Sequence, residues 1–171
     1  MIESPVRVRP LRLSDEAAFV AIHRAMAAEQ FTFGLAYADG MAWSEYLDEL
    51  ESHRSGVDLP AGLVPSTFLV ADVAGQIVGR TSIRHELNEF LAREGGHIGY
   101  GVVAEHRRRG YATAILRHSL IIARAVGIDR VLVTCDEDNV GSAAVIERCG
   151  SVFESLVDSD SGPAKRRYWI D

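Results

Sequence analysis

The fold of this chain is decided by residues 95–125, which read GGHIGYGVVAEHRRRGYATAILRHSLIIARA. The segment starts with a β-prone run, His97 to Val103, passes through a basic turn that ends at Gly110, and continues as a long amphipathic pattern. This order predicts a strand, a loop and a helix. Because the first turn of a helix offers free backbone N–H groups and the positive end of its dipole, we expect the loop to bind a phosphate-bearing ligand.

The helix predicted over Tyr111 to Val126 is followed by a second β-prone run, Val131 to Val133. Apolar residues recur along one face of the helix, and Gly127 is a natural stop signal. The second run is apolar without alternation, as expected for a strand that is covered on both faces. Strand, helix and strand therefore predict a right-handed parallel crossover.

The rest of the chain shows shorter helical and β-prone segments on either side of this unit. With 171 residues, no repeat and no linker, they predict a single domain over residues 1–171. Helices are expected from Glu16 to about Glu29, from Met41 to about His53, and from Ser142 to Cys149. Strands are expected at Val6–Leu13 near a sheet edge, Thr67–Val73, Ile77–Ile83, Val152–Val157 and Tyr168–Ile170.

Composition excludes several classes of partner. The formal net charge of −6 argues against nucleic acid and membrane surfaces, which normally require a basic face. The N-terminus lacks the apolar run of a secretory signal, and no stretch approaches the roughly 20 apolar residues of a membrane span, so we expect a cytoplasmic protein. Cys135 and Cys149 lack CxxC spacing and are predicted to be buried thiols, with no metal site.

The strongest sign of a ligand is the run from Arg107 through Arg109 to Gly110 at the predicted start of the helix. The arginines add charge-assisted hydrogen bonds, and small residues at Gly110 and Ala112 leave the backbone open to a phosphate. The simpler interpretation is a solvated basic loop. A Rossmann fingerprint does not fit because GGHIGYG precedes no helix, and no GK[ST] sequence follows a glycine loop as a P-loop requires.

These residues resemble the acyl-CoA loop of GNAT-family N-acetyltransferases. The family pattern Arg/Gln-x-x-Gly-x-Gly/Ala is matched by Arg107, Gly110 and Ala112. A second family motif, an Asn that opens a short helix ending in Gly, is matched by Asn139 and Gly150 in DNVGSAAVIERCG. Two motifs at the right separation, in a chain whose elements follow the family order, make the resemblance specific.

The chain is more similar still to a subgroup of predicted GNAT acetyltransferases of unassigned substrate. The similarity lies in IRHELNEFL, GGHIGYGV, GYAT, VLVTCDEDN and the terminal RRYWI, and it spans roughly residues 60 to 170. It strengthens the expectation for the fold and leaves the substrate open.

The resemblance implies the GNAT fold, an α/β (α+β) fold with helices on both faces of a mixed, mostly antiparallel sheet. It also implies a parallel crossover whose two strands, the fourth and fifth, splay apart so that the pantetheine arm of acetyl-CoA inserts between them. Backbone groups of two valines would pair with the arm, loop amides would cradle the diphosphate, and Asn139 would reach the pantetheine or acetyl end. The residues assigned in this way to acetyl-CoA are Val102, Val103, Arg107, Arg108, Arg109, Gly110, Tyr111, Ala112, Thr113, Asn139 and Ser142.

The implied activity is an acetyl-CoA-dependent N-acetyltransferase acting on a primary amine of a small molecule or protein. Such a site deprotonates the amine, stabilises an oxyanion and protonates the thiolate. The tyrosine that often serves the thiolate is replaced by Ile146, so water, another residue or no acid takes that role. His97 is the candidate base because imidazole titrates near neutrality, although a structural hydrogen bond is the simpler role. Strand alternation puts His97 and Tyr100 on opposite faces, so one of them faces the substrate.

Two other functions fit the same loop. One is a non-catalytic acyl-CoA-binding or regulatory module, which the isoleucine at position 146 favours. The other is a nucleotide or phospho-ligand binder that uses the same helix terminus. The acidic net charge favours cationic acceptors through long-range attraction, although net charge is a poor guide to a local pocket. An exposed C-terminal strand could pair with the same strand of a second copy, so a homodimer is one arrangement to test.

Overall fold

The computed structural model describes residues 5–171, which form four helices around one seven-stranded sheet. The strands are β1 (Arg7–Arg9), β2 (Ser66–Val73), β3 (Gln76–Arg84), β4 (Ile98–Val102), β5 (Val131–Asp136), β6 (Val152–Val157) and β7 (Lys165–Ile170). The helices are α1 (Glu16–Ala27), α2 (Trp43–Ser55), α3 (Tyr111–Ala125) and α4 (Val140–Arg148). A π-helical turn, Leu91–Gly95, precedes β4. Of the helices in this part of the chain, none is long and apolar enough to cross a bilayer.

The sheet has the strand order β1-β2-β3-β4-β5-β7-β6. All neighbouring strands are antiparallel except β4 and β5, which are parallel and are connected through α3. The predicted mixed, mostly antiparallel sheet with a parallel crossover is thus confirmed. Residues 103–110 connect the carboxyl end of β4 to the first turn of α3, and this is where the sequence predicts the anion-binding loop.

The two faces of the sheet pack against different helices. On one face, Ile98 of β4 packs with Leu116 of α3 and Ile146 of α4. On the other face, Val103 belongs to a cluster with α1 and α2 that includes Phe19. The Phe19 ring is fully buried and lies between 5.1 and 6.4 Å, centroid to centroid, from six other aromatic or imidazole rings. Burial of this aromatic set holds α1 and α2 against the sheet.

A buried pair of hydroxyls holds α3 against β3. Ser119 Oγ donates to the carbonyl of Ile115 at 2.8 Å and lies 2.8 Å from Thr81 Oγ1. Since the serine hydroxyl has one hydrogen, the threonine hydroxyl is the donor between the two. The pair is therefore satisfied, which removes the free-energy cost of burying it.

Several element boundaries differ from the sequence prediction. The first strand is shorter, because Pro10 follows Arg9 and cannot donate to a ladder. The last strand is longer and begins at Lys165, because its charged residues pair with β5, where Lys165 forms an ion pair with Asp136. A strand segment made of charged residues contains no apolar run, so the apolar pattern of the sequence does not predict it.

Candidate functional site

A gap between β4 and β5 organises the site. Within the described sheet these two strands share one register pair, Ile98 with Val133, whereas β5 pairs with β7 over six residues. At the closed end of the gap, the His97 N–H donates to the Leu132 carbonyl at 2.7 Å and the Leu132 N–H donates to His97 Nδ1 at 2.9 Å. The His97 imidazole thus accepts the hydrogen bond that a backbone carbonyl of β4 would otherwise accept from β5, at the end where the two strands are joined.

Backbone groups of β4 point into this gap. The Val103 N–H donates to the carbonyl of Val78 on β3 at 2.9 Å, and Gly101 is paired with Arg80 of β3. Because alternate residues of an antiparallel strand bond to the same neighbour, Tyr100 and Val102 direct their N–H and C=O groups away from β3. These groups therefore face the gap.

A cavity of about 820 Å³ opens at the gap and extends to the start of α3 and along α4. Most of the residues assigned to acetyl-CoA line it. They are Val102, Arg107, Arg108, Gly110, Tyr111, Ala112, Thr113, Asn139 and Ser142. The structure thus brings together two sequence motifs that lie about 30 residues apart in the chain.

The loop before α3 is turned by two residues with positive φ, Arg108 at 64° and Gly110 at 81°. A Cβ placed on Gly110 would meet no atom within 4 Å, so the space in front of this backbone is open. Gly110 is the N-cap of α3, and the helix continues for 15 residues. The left-handed conformation and the open approach together explain why a glycine stands here. A diphosphate can reach the N–H groups of the first turn without a clash.

The Arg107 guanidinium is already partly engaged. Its Nε donates to the Val102 carbonyl at 3.1 Å, and its Nη2 lies 2.6 Å from a carboxylate oxygen of Glu29, beyond the end of α1. Both side chains of this ion pair are more than 40% exposed, at 43% and 42%. An exposed pair of this kind contributes about 0–1 kcal/mol, so an incoming phosphate can displace the carboxylate.

A second polar group lies where α4 begins. The Asn139 side chain caps α4 by accepting a hydrogen bond from the Ser142 N–H at 3.0 Å. The Ser142 hydroxyl lies 2.8 Å from the Tyr100 hydroxyl, which reaches across from β4. Burial raises the pKa of the Tyr100 phenol, so this group stays neutral and able to donate a hydrogen bond. Tyr100 lines the cavity, on the side of β4 that faces α4.

Three of the residues predicted from the sequence do not line the cavity. The Val103 N–H is used in the sheet and its side chain lies in the core, so it has no free donor for a pantetheine arm. The Arg109 side chain is exposed and donates to the Glu105 carbonyl at 3.3 Å. His97 is buried with Nδ1 held as an acceptor, and burial and the neighbouring Arg84 charge lower its pKa. Catalysis by His97 stays a prediction, and this placement is the one expected of a structural histidine.

Other cavity residues were not identified from the sequence. Met26, Glu29 and Phe31, at the end of α1 and just after it, line one side, while Gly141, Val145 and Arg148 line the α4 side. The three α4 residues are at helical spacing from one another, so periodicity within the second motif is a signal that would have identified them. The residues after α1 carry no local signal of this kind. Ile146, at the position where the family resemblance implies a tyrosine, is fully buried in the core.

The cysteines take no part in the cavity lining. Cys135 is buried on β5, and burial raises the pKa of its thiol to about 11, so the thiol is protonated at neutral pH. In the described part of the chain, no three His, Cys, Asp or Glu side chains converge as metal ligands would.

A protein-family model described as "Acetyltransferase (GNAT) domain" matches residues 6–152. No curated protein matches the sequence. RimJ of Mycobacterium smegmatis, solved in complex with a CoA disulfide, has 23% sequence identity and a TM-score of 0.69, over 96% of this chain and 81% of that chain. The microcin C7 self-immunity acetyltransferase MccE, in complex with acetyl-CoA and AMP, has 16% identity and a TM-score of 0.68, and the match covers 99% of this chain and 93% of that chain. An N-acetyltransferase from Staphylococcus aureus Mu50 has 15% identity and a TM-score of 0.66, and the match covers 98% of this chain and 99% of that chain. Likeness at these identities shows a shared fold.

Proposed function

The chain belongs to the GNAT acetyltransferase family, and on this premise we propose that it transfers the acetyl group of acetyl-CoA to a primary amine. The observation that supports this most is the gap between β4 and β5, which opens onto the first turn of α3. A gap in a sheet gives an extended arm free backbone groups to pair with. A helix N-terminus at its mouth gives the diphosphate a positive electrostatic environment.

The cofactor side of the proposal uses groups that the structure leaves open. The N–H groups of residues 111–113 lie in the first turn of α3 and would bind the diphosphate together with Arg108. The backbone of Tyr100 and the N–H of Val102 would pair with the pantetheine arm, since the Val102 carbonyl already accepts from Arg107. We place no role on Val103 or Arg109, because neither lines the cavity.

The acetyl transfer itself needs three functions from the protein. The amine nitrogen attacks the thioester carbon, the carbonyl oxygen becomes an oxyanion, and the carbon–sulfur bond breaks as the thiolate leaves; the amine gives up one proton, through water, and the sulfur gains one, so the step balances as amide plus thiol. A backbone N–H in the gap, from Tyr100 or Val102, would stabilise the oxyanion. The Tyr100 hydroxyl, held by Ser142, would donate to the departing sulfur, in place of the donor that is missing at Ile146.

The proposal is tested by an acceptor screen. The full chain would be mixed with acetyl-CoA and with polyamines, amino acids, aminoglycosides or peptides with free N-termini, and thiol release would be followed with a thiol reagent. Calorimetric titration with CoA would be run in parallel. We expect CoA binding and acceptor-dependent thiol release. Binding without release for any amine would instead favour the non-catalytic acyl-CoA-binding module, and absence of CoA binding would refute both.

We infer that any homodimer would form through β6, the edge strand at the C-terminal side of the sheet. Val152, Phe153 and Leu156 of this strand are exposed apolar residues. An apolar edge strand offers unpaired backbone groups to a second copy. Analytical ultracentrifugation of the wild-type chain and of Phe153→Lys tests this, since the lysine should abolish a dimer formed there. A cytoplasmic location stays a prediction from the sequence.

A further inference from the structure

Two arginines converge on the face of β4 that is turned away from α3 and α4. A Cβ placed on Gly99 would lie 3.1 Å from Arg84 Nη1, 3.4 Å from Arg84 Nη2 and 3.6 Å from Arg80 Nη1. Both guanidinium groups therefore lie over the same glycine. Like charges are normally kept apart in a fold, so their convergence requires an explanation.

Arg80 is buried and only partly satisfied. Its side chain donates to the Gly99 carbonyl at 3.2 Å and to the Thr32 carbonyl at 2.9 Å, and the Phe31 ring lies 4.7 Å from its guanidinium carbon. The residue is 5% exposed, and its Nε is buried without a hydrogen-bond partner. Burial, together with the charge of Arg84, lowers the pKa of Arg80 to about 9.

Arg84 adds a second charge without a counter-charge. It is half-buried, and its side chain makes one hydrogen bond, to the Gly95 carbonyl at 3.3 Å. None of the carboxylates in residues 5–171 pairs with either arginine. Two guanidinium groups offer ten N–H donors between them, and three of these bonds are made, all to neutral carbonyl groups.

A purely structural role accounts for part of this arrangement. Arg80 ties the segment after α1 to β4 through Thr32 and Gly99, which a buried arginine often does. That role does not account for Arg84, which holds a single carbonyl and still directs its charge toward Arg80. Buried charges are stable when they are paired, and the half-buried Arg84 keeps donors available to an anionic partner from outside the described chain.

The arginine pair lies beside the cavity. Gly101 and Phe31 line the cavity on the α1 side of β4, and Phe31 stacks on Arg80. Gly99 is two residues from Gly101 on the same face, which is roughly 7 Å along a strand. A group bound by both arginines would therefore lie roughly 7 Å from the cavity wall at Gly101. Arg84, Gly95 and Gly99 are each half-buried, so the Arg84 guanidinium can be reached from the surface, and Arg80 lies buried behind it.

We propose that Arg80 and Arg84 form an oxyanion subsite for the acceptor, so that the acceptor is a small amine that also carries a carboxylate or a phosphate. This inference rests on the proposed acetyl transfer and names the substrate class for it. Guanidinium groups bind both oxyanions through paired, charge-assisted hydrogen bonds. The local charge thus reverses the expectation from the net charge of −6, which favours cationic acceptors.

The experiment compares matched acceptors that differ in the anionic group. One arm pairs α-amino acids with their primary amides, and the second arm pairs phosphoethanolamine with ethanolamine. kcat/KM would be measured with acetyl-CoA for the wild-type chain, Arg84→Gln and Arg84→Lys. Arg93→Gln is the matched control, because Arg93 is an exposed arginine nearby that bonds to the Asp158 carbonyl.

We expect the anionic member of at least one pair to be used at least about 10-fold better than its neutral partner. Arg84→Gln should lower kcat/KM for that acceptor by about 10- to 100-fold, the range for loss of a charge-assisted bond, and should change the neutral acceptor by less than about threefold. Arg84→Lys should retain part of the preference, and Arg93→Gln all of it. The arm that shows the preference identifies carboxylate or phosphate. Equal use of anionic and neutral acceptors, or an equal loss for both in Arg84→Gln, would overturn the subsite.

Direct binding separates this inference from the proposed function. N-acetylglycine and N-acetylglycinamide would be titrated calorimetrically into the CoA complex, since these product-like probes need no turnover. Tighter binding of the carboxylate, lost in Arg84→Gln but kept in Arg93→Gln, supports the subsite even if no acceptor is acetylated. Equal binding of the two probes, together with equal kcat/KM values for anionic and neutral acceptors, leaves the acetyltransferase assignment intact and refutes the subsite.

Discussion

Replacing Gly110 by Asp and by Asn gives two variants of nearly equal shape that differ by one charge. Gly110 has φ of 81°, and a side chain there would point into open space in front of α3. Asp and Asn tolerate this left-handed conformation better than other side chains, so each should cost the unliganded protein about 1 kcal/mol or less. At the N-cap of α3 an aspartate is favourable, so the unliganded Asp variant should be at least as stable as the Asn variant.

Binding of CoA should move in the opposite direction. The repulsion between a carboxylate and a diphosphate charge about 5 Å away weakens binding by about 1 kcal/mol at an effective dielectric constant of about 80 and by about 3 kcal/mol at about 20. This corresponds to a loss of about 5- to 150-fold in affinity for Gly110→Asp relative to Gly110→Asn. The difference should shrink at about 1 M salt, where charges are screened beyond about 3 Å.

The assay is calorimetric titration of CoA into both variants at low and high salt, with Tm of the unliganded proteins measured by differential scanning calorimetry. The expected pattern combines an equal or higher Tm with weaker binding for Gly110→Asp. Equal CoA affinity of the two variants at low salt would refute the placement of the diphosphate at the start of α3. A lower Tm for the Asp variant would show that the α3 N-cap geometry is wrong.

Three further predictions address catalysis, packing and pH. Tyr100→Phe removes the hydroxyl that bonds to Ser142 and should lower kcat by on the order of 100-fold, while KM for acetyl-CoA changes less than about twofold; an unchanged kcat would remove the phenol from the reaction. Phe19→Ala empties a fully buried site and should cost about 3–5 kcal/mol, or roughly 6–20 °C in Tm, whereas a loss below about 1 kcal/mol would contradict its central place in the core. Arg9 pairs with Asp15 and Asp72, and although burial opposes their charged forms, its hydrogen bonds leave both carboxyl pKa values below the ordinary range. The stability that these ion pairs contribute is therefore complete above the unfolded carboxyl pKa of about 3.9 and is lost as pH falls through the folded pKa values. Arg9→Met should lower the free energy of unfolding in urea by about 1–3 kcal/mol at neutral pH and by clearly less below about pH 3. A loss of stability that does not depend on pH would rule out the ionic contribution.

Local features of the fold and of the cofactor loop were predictable from the sequence. The loop before α3 is contiguous, and the backbone conformation of Gly110 and the dipole of the following helix act over a few residues. Asn139 and its helix were likewise recognisable, because capping depends on residues three positions apart. Periodicity located the helices and the strands, and at β7 it found Tyr168–Ile170 but missed residues 165–167, where charged residues that pair with β5 extend the strand.

The acceptor side was not predictable, because its contacts join residues that are distant in the chain. Tyr100 meets Ser142 across 42 positions, and Arg80 of the proposed acceptor subsite meets Thr32 across 48. His97 has the sequence context of a base, yet the gap between β4 and β5 ends at its ring and gives it a structural partner in Leu132. Nothing local to His97 specifies that partner.

The sequence by itself determined the order of elements, the crossover and the anion-binding loop, because periodicity, capping and glycine conformations are properties of neighbouring residues. The tertiary structure alone decided that Arg80 and Arg84 share a site. In the sequence Arg80 lies within one β-prone run and Arg84 directly after it, whereas the register that pairs Ser82 with Gly99 brings both guanidinium groups over one glycine. Strand register depends on pairing across the whole sheet, and a shift by one residue would turn these side chains to the opposite face.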